Sequence, residues 1–427
     1  MKKLLKLSFL ASLALSLLFL VACGEMSFAE KNYLEYEGLL YRLSDDGSYY
    51  AVAGYTDISE EVTVPADVNG IPVTELGNSA FYNATELKRI NLPDTIVKID
   101  DYAFDNCYSL ESPMLPSGVE FIGFSAFSDC ESINALILPK SLLTIESNAF
   151  ERCSSIEKIA IQPALRTVGR DAFGECKKLA ELHISDVNSW CTISFATPQS
   201  NPLYYADKLY VAGEEMKDLV IEGVESITDF AFYKFDGIES LTVGDGVKVI
   251  GTSAFSECAS LKSVVASDSL EDIGTSAFSF CSSLTSVSFG KGIKYFGGLA
   301  FYECNSIESV SIVDLASWCG IHFYRDNSGT SNPLHYADRF VVNGETVIDL
   351  VIPDGVTSIA SLAFINFQGF RSVTVPVSVK SVSENAFYMC ASIGRVVYRG
   401  TREEWRSVVI ESNNASFAYA ALFVVFA

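Results

Sequence analysis

The chain has 427 residues, of which 49% are hydrophobic and 19% are charged, and its formal net charge is −23. This apolar content excludes an intrinsically disordered chain and favours a folded protein with a large core. No basic run after the first few residues offsets the acidic balance. Because binding to phosphate requires a basic surface, a nucleic-acid partner is excluded.

The first element is an N-terminal targeting segment. Three lysines within residues 1–6 precede the apolar stretch 7–21, and the run ends in the sequence LVAC, from Leu20 to Cys23. This arrangement predicts a secretory signal peptide over residues 1–22. The LVAC sequence resembles the bacterial lipoprotein signal, which implies that Cys23 becomes the lipid-modified N-terminus and anchors the protein. An ordinary signal peptide that carries a cysteine near its end is the alternative.

Residues 23–57 follow as a linker and N-terminal cap. Two segments of strand-like residues, 36–43 and 49–54, flank Asp46 and Gly47. An Asp-Gly pair between such segments is typical of a β-hairpin turn. We therefore predict a hairpin that caps the next part of the chain.

The rest of the chain is dominated by a repeat. Eleven Ala-Phe pairs occur, most of them 23 residues apart, with phenylalanines at Phe81, Phe104, Phe127, Phe150, Phe173, Phe232, Phe255, Phe278, Phe301, Phe364 and Phe387. A fixed period of this size predicts a solenoid, in which each repeat buries its apolar face against its neighbours.

Each repeat contains two short apolar pieces, of the types Val-x-x-Ile and Leu-x-x-Val-x-Φ, where Φ is apolar. Segments 247–250 and 261–266 are one example. Apolar residues that alternate with Ser, Thr and charged residues predict half-buried strands. Identical coils stacked on one another predict a mainly β repeat solenoid, with a long parallel sheet, an interior column of phenylalanines and little helix beyond the signal peptide.

The cysteines follow the same period. Eight of the eleven lie three residues after a repeat phenylalanine, and the other repeats have Ala84, Phe235 or Phe367 there. A secreted protein would ordinarily suggest disulfides. Parallel side chains in stacked coils suit disulfide geometry poorly, so we predict buried free thiols. No Cys-x-x-Cys pair or Cys/His cluster indicates a metal site.

The repeat Val-x-x-Ile-Gly-x-x-Ala-Phe-x-x-Cys-x-Ser-Leu-x-x-Val-x-Leu-Pro resembles the BspA-type leucine-rich repeats of bacterial surface proteins. The resemblance covers residues from about 58 to 400 and extends to the N-terminal cap. It implies a leucine-rich-repeat solenoid exposed on a bacterial surface. It also implies adhesion to host or microbial proteins or glycans, without naming the ligand.

Two gaps interrupt the period, and both contain the same motifs, Ser-Trp-Cys followed by Asn-Pro-Leu. A third, shorter copy begins at Gly400. This higher-order repeat predicts solenoid blocks 58–184, 226–312 and 358–399, variant segments 185–225 and 313–357, and a C-terminal cap 400–427. The aromatic residues of the variant segments form pockets for a glycan or peptide in one interpretation and close an enlarged coil in the other. The candidates are Tyr204, Tyr205, Tyr324 and Tyr336. We favour the packing interpretation because tryptophan is usually buried.

The outward strand positions are the other candidate binding surface. In the later coils they are small and hydroxylated, notably Ser286, Ser288, Ser309 and Ser311, whereas the first block has Met114, Ala135, Ile137 and His183. A hydroxylated face suits a long ligand held by many weak contacts, but the same residues also make an ordinary soluble sheet face. The apolar trio of residues 114, 135 and 137 is a small candidate hot spot.

No catalytic motif is present. The sequence has only three histidines and contains no Gly-x-Ser-x-Gly elbow, glycine-rich phosphate loop or His-Glu-x-x-His motif. We therefore predict no enzyme, no cofactor and no dedicated metal site. The leading hypothesis is a lipid-anchored binding protein of the cell envelope, exposed on the outer or cell membrane, which recognises a protein or glycan through its sheet. A non-catalytic envelope scaffold is the alternative, and a polysaccharide-active enzyme is a distant third.

Overall fold

The computed structural model describes residues 33–324 and 329–420 and the strand Val425–Phe426. The predicted solenoid is confirmed, with about 15 coils of roughly 23 residues and little helix. The predicted lipidation site, Cys23, lies outside the described residues. Within the described part of the chain, no helix is both long enough and apolar enough to cross a bilayer.

The N-terminal end is an antiparallel unit that joins the first coils. It contains β1 (Tyr33–Tyr36), β2 (Leu39–Leu43), β3 (Tyr50–Tyr55), β5 (Asp67–Val68) and β6 (Ile71–Leu76). The first three strands pair antiparallel in chain order, with a turn at Ser44–Tyr49 between β2 and β3. The strand β6 then pairs in parallel with β3 on one side and with β8 (Lys98–Ile99) on the other, which begins the solenoid.

A typical coil contributes two strands, which stack into separate parallel sheets on two sides of the solenoid. The front side carries the Leu-x-x-Val pieces, and the back side carries the Val-x-x-Ile pieces. The front strands are β4 (Glu61–Thr63), β7 (Arg89–Asn91), β10 (Ala135–Ile137), β12 (Lys158–Ile161), β14 (Glu181–Ile184), β16 (Lys208–Val211), β18 (Asp218–Ile221), β20 (Ser240–Val243), β22 (Ser263–Ala266), β24 (Ser286–Phe289), β26 (Ser309–Ile312), β28 (Arg339–Val342), β30 (Asp349–Val351), β32 (Ser372–Val375), β34 (Arg395–Tyr398) and β36 (Val425–Phe426).

The back strands are mostly two residues long because a tight turn follows each of them. They are β8 (Lys98–Ile99), β9 (Phe121–Ile122), β11 (Thr144–Ile145), β13 (Thr167–Val168), β15 (Ser194–Phe195), β19 (Ser226–Ile227), β21 (Val249–Ile250), β23 (Asp272–Ile273), β25 (Tyr295–Phe296), β27 (His322–Phe323), β31 (Ser358–Ile359), β33 (Ser381–Val382) and β35 (Val409–Ile410). Glycine often follows the strand because backbones crowd there. A Cβ on Gly169 would lie 2.3 Å from the backbone nitrogen of Ser147 in the preceding coil.

The variant segments divide each side into successive sheets, so the long parallel sheet is segmented. Each segment contains a short helix, α1 (Val187–Trp190) or α2 (Leu315–Cys319), followed by 3₁₀ turns. Each then closes one front sheet with an antiparallel hairpin, where β16 pairs with β17 (Glu214–Glu215) and β28 pairs with β29 (Glu345–Thr346). The C-terminal cap adds α3 (Arg402–Arg406) and α4 (Ala415–Ala420).

The core is a column of stacked phenylalanines. Within each block, the ring centroids of the repeat phenylalanines in neighbouring coils are separated by 4.9 to 5.5 Å, and the rings are nearly parallel. Tyr55 extends the column at its start and Phe417 at its end. Burial of each phenylalanine contributes about 1.5–3 kcal/mol, so this column is a principal source of stability.

The ten described cysteines are all buried and form no disulfides, as predicted. In the eight repeat positions the thiol donates a hydrogen bond to a phenylalanine carbonyl oxygen of the neighbouring coil, at 2.8 to 3.3 Å. Burial raises the pKa of Cys107 and of Cys176 to about 12. These thiols are therefore protonated packing groups rather than nucleophiles.

Candidate functional site

The front side of the first block carries a line of apolar and aromatic side chains. In the parallel register, Ile137 lies beside Ala160, Ala160 beside His183, and His183 beside Tyr210. Met114 is 23 residues before Ile137, at the same place in the preceding coil. We call these five residues the front stripe. Met114 is 87% exposed and Ile137 is 69% exposed, whereas the other three are half-buried.

Met114 owes its exposure to an irregular coil. Pro113 has no backbone N–H, and residues 112–114 form no strand. The Ser112 hydroxyl replaces the missing ladder partner, because it accepts hydrogen bonds from the backbone nitrogens of Asn134 at 3.2 Å and Ala135 at 3.0 Å. The coil therefore departs locally from the sheet and presents the methionine to solvent.

At the other end of the front stripe, contacts with neighbouring side chains hold the His183 ring in place. The His183 ring stacks on Tyr210 with 4.4 Å between centroids, and its Nε2 lies 3.0 Å from a carboxylate oxygen of Glu181. Lys158 reaches the same carboxylate at 3.6 Å, and Lys208 pairs with Glu215 at 3.4 Å. These paired charges flank an apolar centre, an arrangement typical of a protein-interaction surface.

The four serine candidates lie elsewhere, in the second block. Ser286 is in register with Ser309, and Ser288 with Ser311, so they form a compact half-buried patch on β24 and β26. The structure therefore brings each candidate group together internally. It places the two groups in different front sheets.

The tyrosines of the variant segments make structural contacts. In regular coils the backbone N–H two residues after the repeat phenylalanine donates to a carbonyl of the next coil, but at the end of a block that carbonyl is missing. The hydroxyl of Tyr205 accepts from the Glu175 nitrogen at 3.0 Å, and that of Tyr336 accepts from Glu303 at 3.1 Å. Burial raises the pKa of Tyr336 to about 12.

The two remaining tyrosines differ in exposure. The Lys234 ammonium lies 4.3 Å from the centroid of the Tyr204 ring, which is half-buried. Tyr324 is 49% exposed and follows the back strand β27. The four tyrosines therefore do not form one aromatic pocket, although Tyr324 remains accessible.

The tryptophans and asparagines of the variant segments donate hydrogen bonds to backbone carbonyls of the next block. Trp190 is 1% exposed, and its Nε1 donates to the Ala231 carbonyl at 2.8 Å. Asn201 donates to the carbonyls of Phe230 and Ala231 at 2.7 and 2.8 Å. In the second variant segment, Trp318 and Asn332 make the same contacts with Leu362 and Ala363. Each variant segment is thus an adaptor between two solenoid blocks.

Sequence reasoning missed part of the front stripe. Ala160 follows Ile137 by the standard 23 residues and was accessible from the period. Tyr210 follows His183 by 27 residues because the variant coil is longer, so a fixed period misplaces it. The short Lys-Leu-Tyr-Val segment still indicated the position of Tyr210, because it matches the strand pattern of the earlier coils.

The comparisons with known proteins agree with this architecture. The family model described as the BspA type leucine rich repeat region matches residues 74–200, 208–328 and 340–415. The chain belongs to the BspA-type leucine-rich repeat family. Leucine-rich-repeat proteins are generally non-catalytic, and BspA-type proteins are bacterial cell-surface proteins. No curated protein matches the chain.

Several solved structures resemble this BspA-type solenoid. A leucine-rich repeat protein from Bacteroides ovatus is 19% identical, with 92% of this chain and 99% of that chain covered and a TM-score of 0.49. The pneumococcal vaccine antigen PcpA is 15% identical, with coverages of 90% and 97% and a TM-score of 0.44. A leucine rich cell surface protein from Faecalibacterium prausnitzii is 20% identical, with coverages of 90% and 100% and a TM-score of 0.32.

Among the described residues, no three His, Cys, Asp or Glu side chains are grouped so that they could hold a metal ion. Several exposed carboxylates on the front side are paired with lysine or arginine, as Glu61 is with Arg89 at 3.1 Å.

Proposed function

We propose that the chain is a binding protein of the bacterial cell surface that recognises another protein through the front stripe. The observation that carries this proposal is the pair of exposed apolar side chains, Met114 and Ile137, at equivalent places in neighbouring coils of the front side. Methionine and tyrosine are enriched at protein interfaces, and apolar residues clustered among paired charges form typical binding hot spots. A lipid at Cys23 would hold the protein at the membrane, with the solenoid outside.

The rigidity of the front stripe supports the same function. Except for Met114, its residues lie on strands whose core-facing neighbours, such as Leu136 and Ile159, are completely buried. A preformed surface loses little conformational entropy when a ligand binds. Because the coils repeat along one axis, an extended partner can contact several of them at once.

Direct binding with matched variants tests the proposal. The protein without residues 1–22 and with C23S would be assayed against immobilised host matrix, mucosal and bacterial surface proteins. Replacement of Met114 and Ile137 by Asp should weaken saturable binding by about 30-fold or more, because truncated hot-spot residues each cost on the order of 1–2 kcal/mol.

The control is a double aspartate change at the equivalent positions of the second block, T242D/V265D, which should leave the affinity within about threefold. Loss of binding in S288D/S311D instead would place the site on the serine patch. If no protein binds saturably while circular dichroism shows intact folding, the proposal fails and a non-catalytic envelope scaffold becomes the better account.

A further inference from the structure

A cleft opens on the back side, where the second variant segment meets the third block. It has a volume of about 390 Å³ and is lined by Cys319–Phe323, by Ser358, Ala360 and Ser361, and by Ser383. The back strands β27 and β31 border it and belong to different sheets. Its volume falls within the range of about 300–1,000 Å³ that is usual for small-ligand sites.

The equivalent junction after the first block has a hydroxyl that the cleft lacks. There, the Thr228 backbone nitrogen donates to the Cys191 carbonyl, and the Thr228 hydroxyl donates to the Ile193 carbonyl at 2.8 Å. In the second junction Ala360 makes the same backbone bond, to Cys319. Alanine has no hydroxyl, so its side chain neither fills the space nor donates to the Ile321 carbonyl.

Four further differences between the junctions change the character of the surface. Ser383 replaces Gly251, which adds a hydroxyl group. Gly320 replaces Thr192, which removes a side chain from the rim. Ser361 replaces Asp229, which removes a negative charge. His322 replaces Ser194, which adds an exposed ring. Every lining side chain that differs from its counterpart in the first junction is thus smaller, uncharged or aromatic.

The new ring belongs to an aromatic surface beside the cleft. His322 and Tyr295 are in register on neighbouring strands, and their rings stack with 5.2 Å between centroids. Tyr324 follows the end of this strand and is 49% exposed, and its ring lies against Gly298 of the preceding coil. On the opposite wall, Ser358 accepts a hydrogen bond from the Ser381 hydroxyl at 2.8 Å, which leaves its own hydrogen to donate.

We propose that this cleft binds a neutral carbohydrate, with one pyranose ring stacked on the face of the His322 ring that Tyr295 does not cover. The C–H face of a sugar ring packs on aromatic rings, and its hydroxyl groups exchange hydrogen bonds with serine hydroxyls and backbone carbonyls. The absence of charged side chains among the described lining residues disfavours an acidic glycan or a charged peptide. The site is separate from the front stripe and does not depend on the proposed protein ligand.

Isothermal titration calorimetry of the purified protein with maltohexaose, cellohexaose, mannohexaose and chitohexaose tests the proposal, with hexagalacturonate as the acidic comparison. At least one neutral hexasaccharide should bind saturably. The substitutions A360T and H322S, which restore the residues of the first junction, should each weaken that binding by about tenfold or more. The exposed position of His322 makes H322S a variant that keeps the fold.

Two control variants establish that the carbohydrate occupies this cleft. T228A at the first junction and the double change M114D/I137D should leave carbohydrate binding unaltered, whereas M114D/I137D should weaken only the binding of the protein ligand. Three results would overturn the proposal: no neutral hexasaccharide binds below about 1 mM, binding is insensitive to both A360T and H322S, or only hexagalacturonate binds.

Discussion

The adaptor role of the variant segments predicts that one buried asparagine couples the first two blocks. Asn201 is fully buried, donates to the carbonyl oxygens of Phe230 and Ala231, and accepts from the Leu203 nitrogen at 2.8 Å. The substitution N201A removes all three hydrogen bonds. Trp190 still donates to the Ala231 carbonyl, and the Tyr233 nitrogen still donates to the Phe230 carbonyl at 3.1 Å, so the Leu203 N–H is the buried group that loses its partner.

An unsatisfied buried polar group costs about 1–3 kcal/mol, so N201A should lower the local free energy of unfolding by about 1–3 kcal/mol. Because each coil of a solenoid contacts mainly its neighbours, the loss should remain near the first junction. Hydrogen–deuterium exchange with mass spectrometry should show faster exchange in peptides from about 187 to 235, with peptides around 315–367 unaffected.

Two variants make this experiment decisive. N188A changes an exposed asparagine of the same segment and should alter little, whereas N332A should reproduce the effect at the second junction. Equal loss of protection at both junctions in N201A, or a change below about 0.5 kcal/mol, would refute the adaptor interpretation.

Two other properties follow from buried groups. The ten described cysteines should not react with Ellman's reagent in the native state and should all react after denaturation, because burial removes access to the thiols; rapid native labelling of several thiols would contradict the buried column of cysteines. D105N should raise stability at pH 7 by about 1 kcal/mol, because burial and the nearby Asp129 carboxylate raise the pKa of Asp105 from 3.8 to about 6 in the folded protein. The wild-type protein regains that stability as the pH falls from 6 to 4, because Asp105 binds a proton. Urea unfolding should therefore show no difference in stability between the wild type and D105N below about pH 4. A stability difference that grows at low pH would refute the assignment of the raised pKa to Asp105.

Much of the fold was predictable because a fixed period places equal residues in register. Phe104 and Cys107 recur every 23 residues, so their stacking and burial follow from the sequence alone. The division into front and back sheets was less visible. The back strands are only two residues long, too short for alternation to reveal that they form sheets of their own.

The junctions were beyond sequence reasoning for a geometric reason. Trp190 and Ala231 are 41 residues apart, and Glu175 and Tyr205 are 30 apart, so no local pattern links the partners of these hydrogen bonds. The same is true of the cleft. The hydrogen bond that Ala360 cannot make becomes clear only when the Thr228 hydroxyl is seen to donate across the first junction.

The exposed methionines offer the most direct measurement of the central claim. Met114 lies in the front stripe and is 87% exposed, whereas Met389 lies in the third block and is 56% exposed. Oxidation by dilute hydrogen peroxide, followed by mass spectrometry, reports the accessibility of both in one molecule. With a saturating protein ligand, the account predicts strong protection of Met114 and an unchanged rate at Met389. An unchanged rate at Met114 in the saturated complex would contradict it.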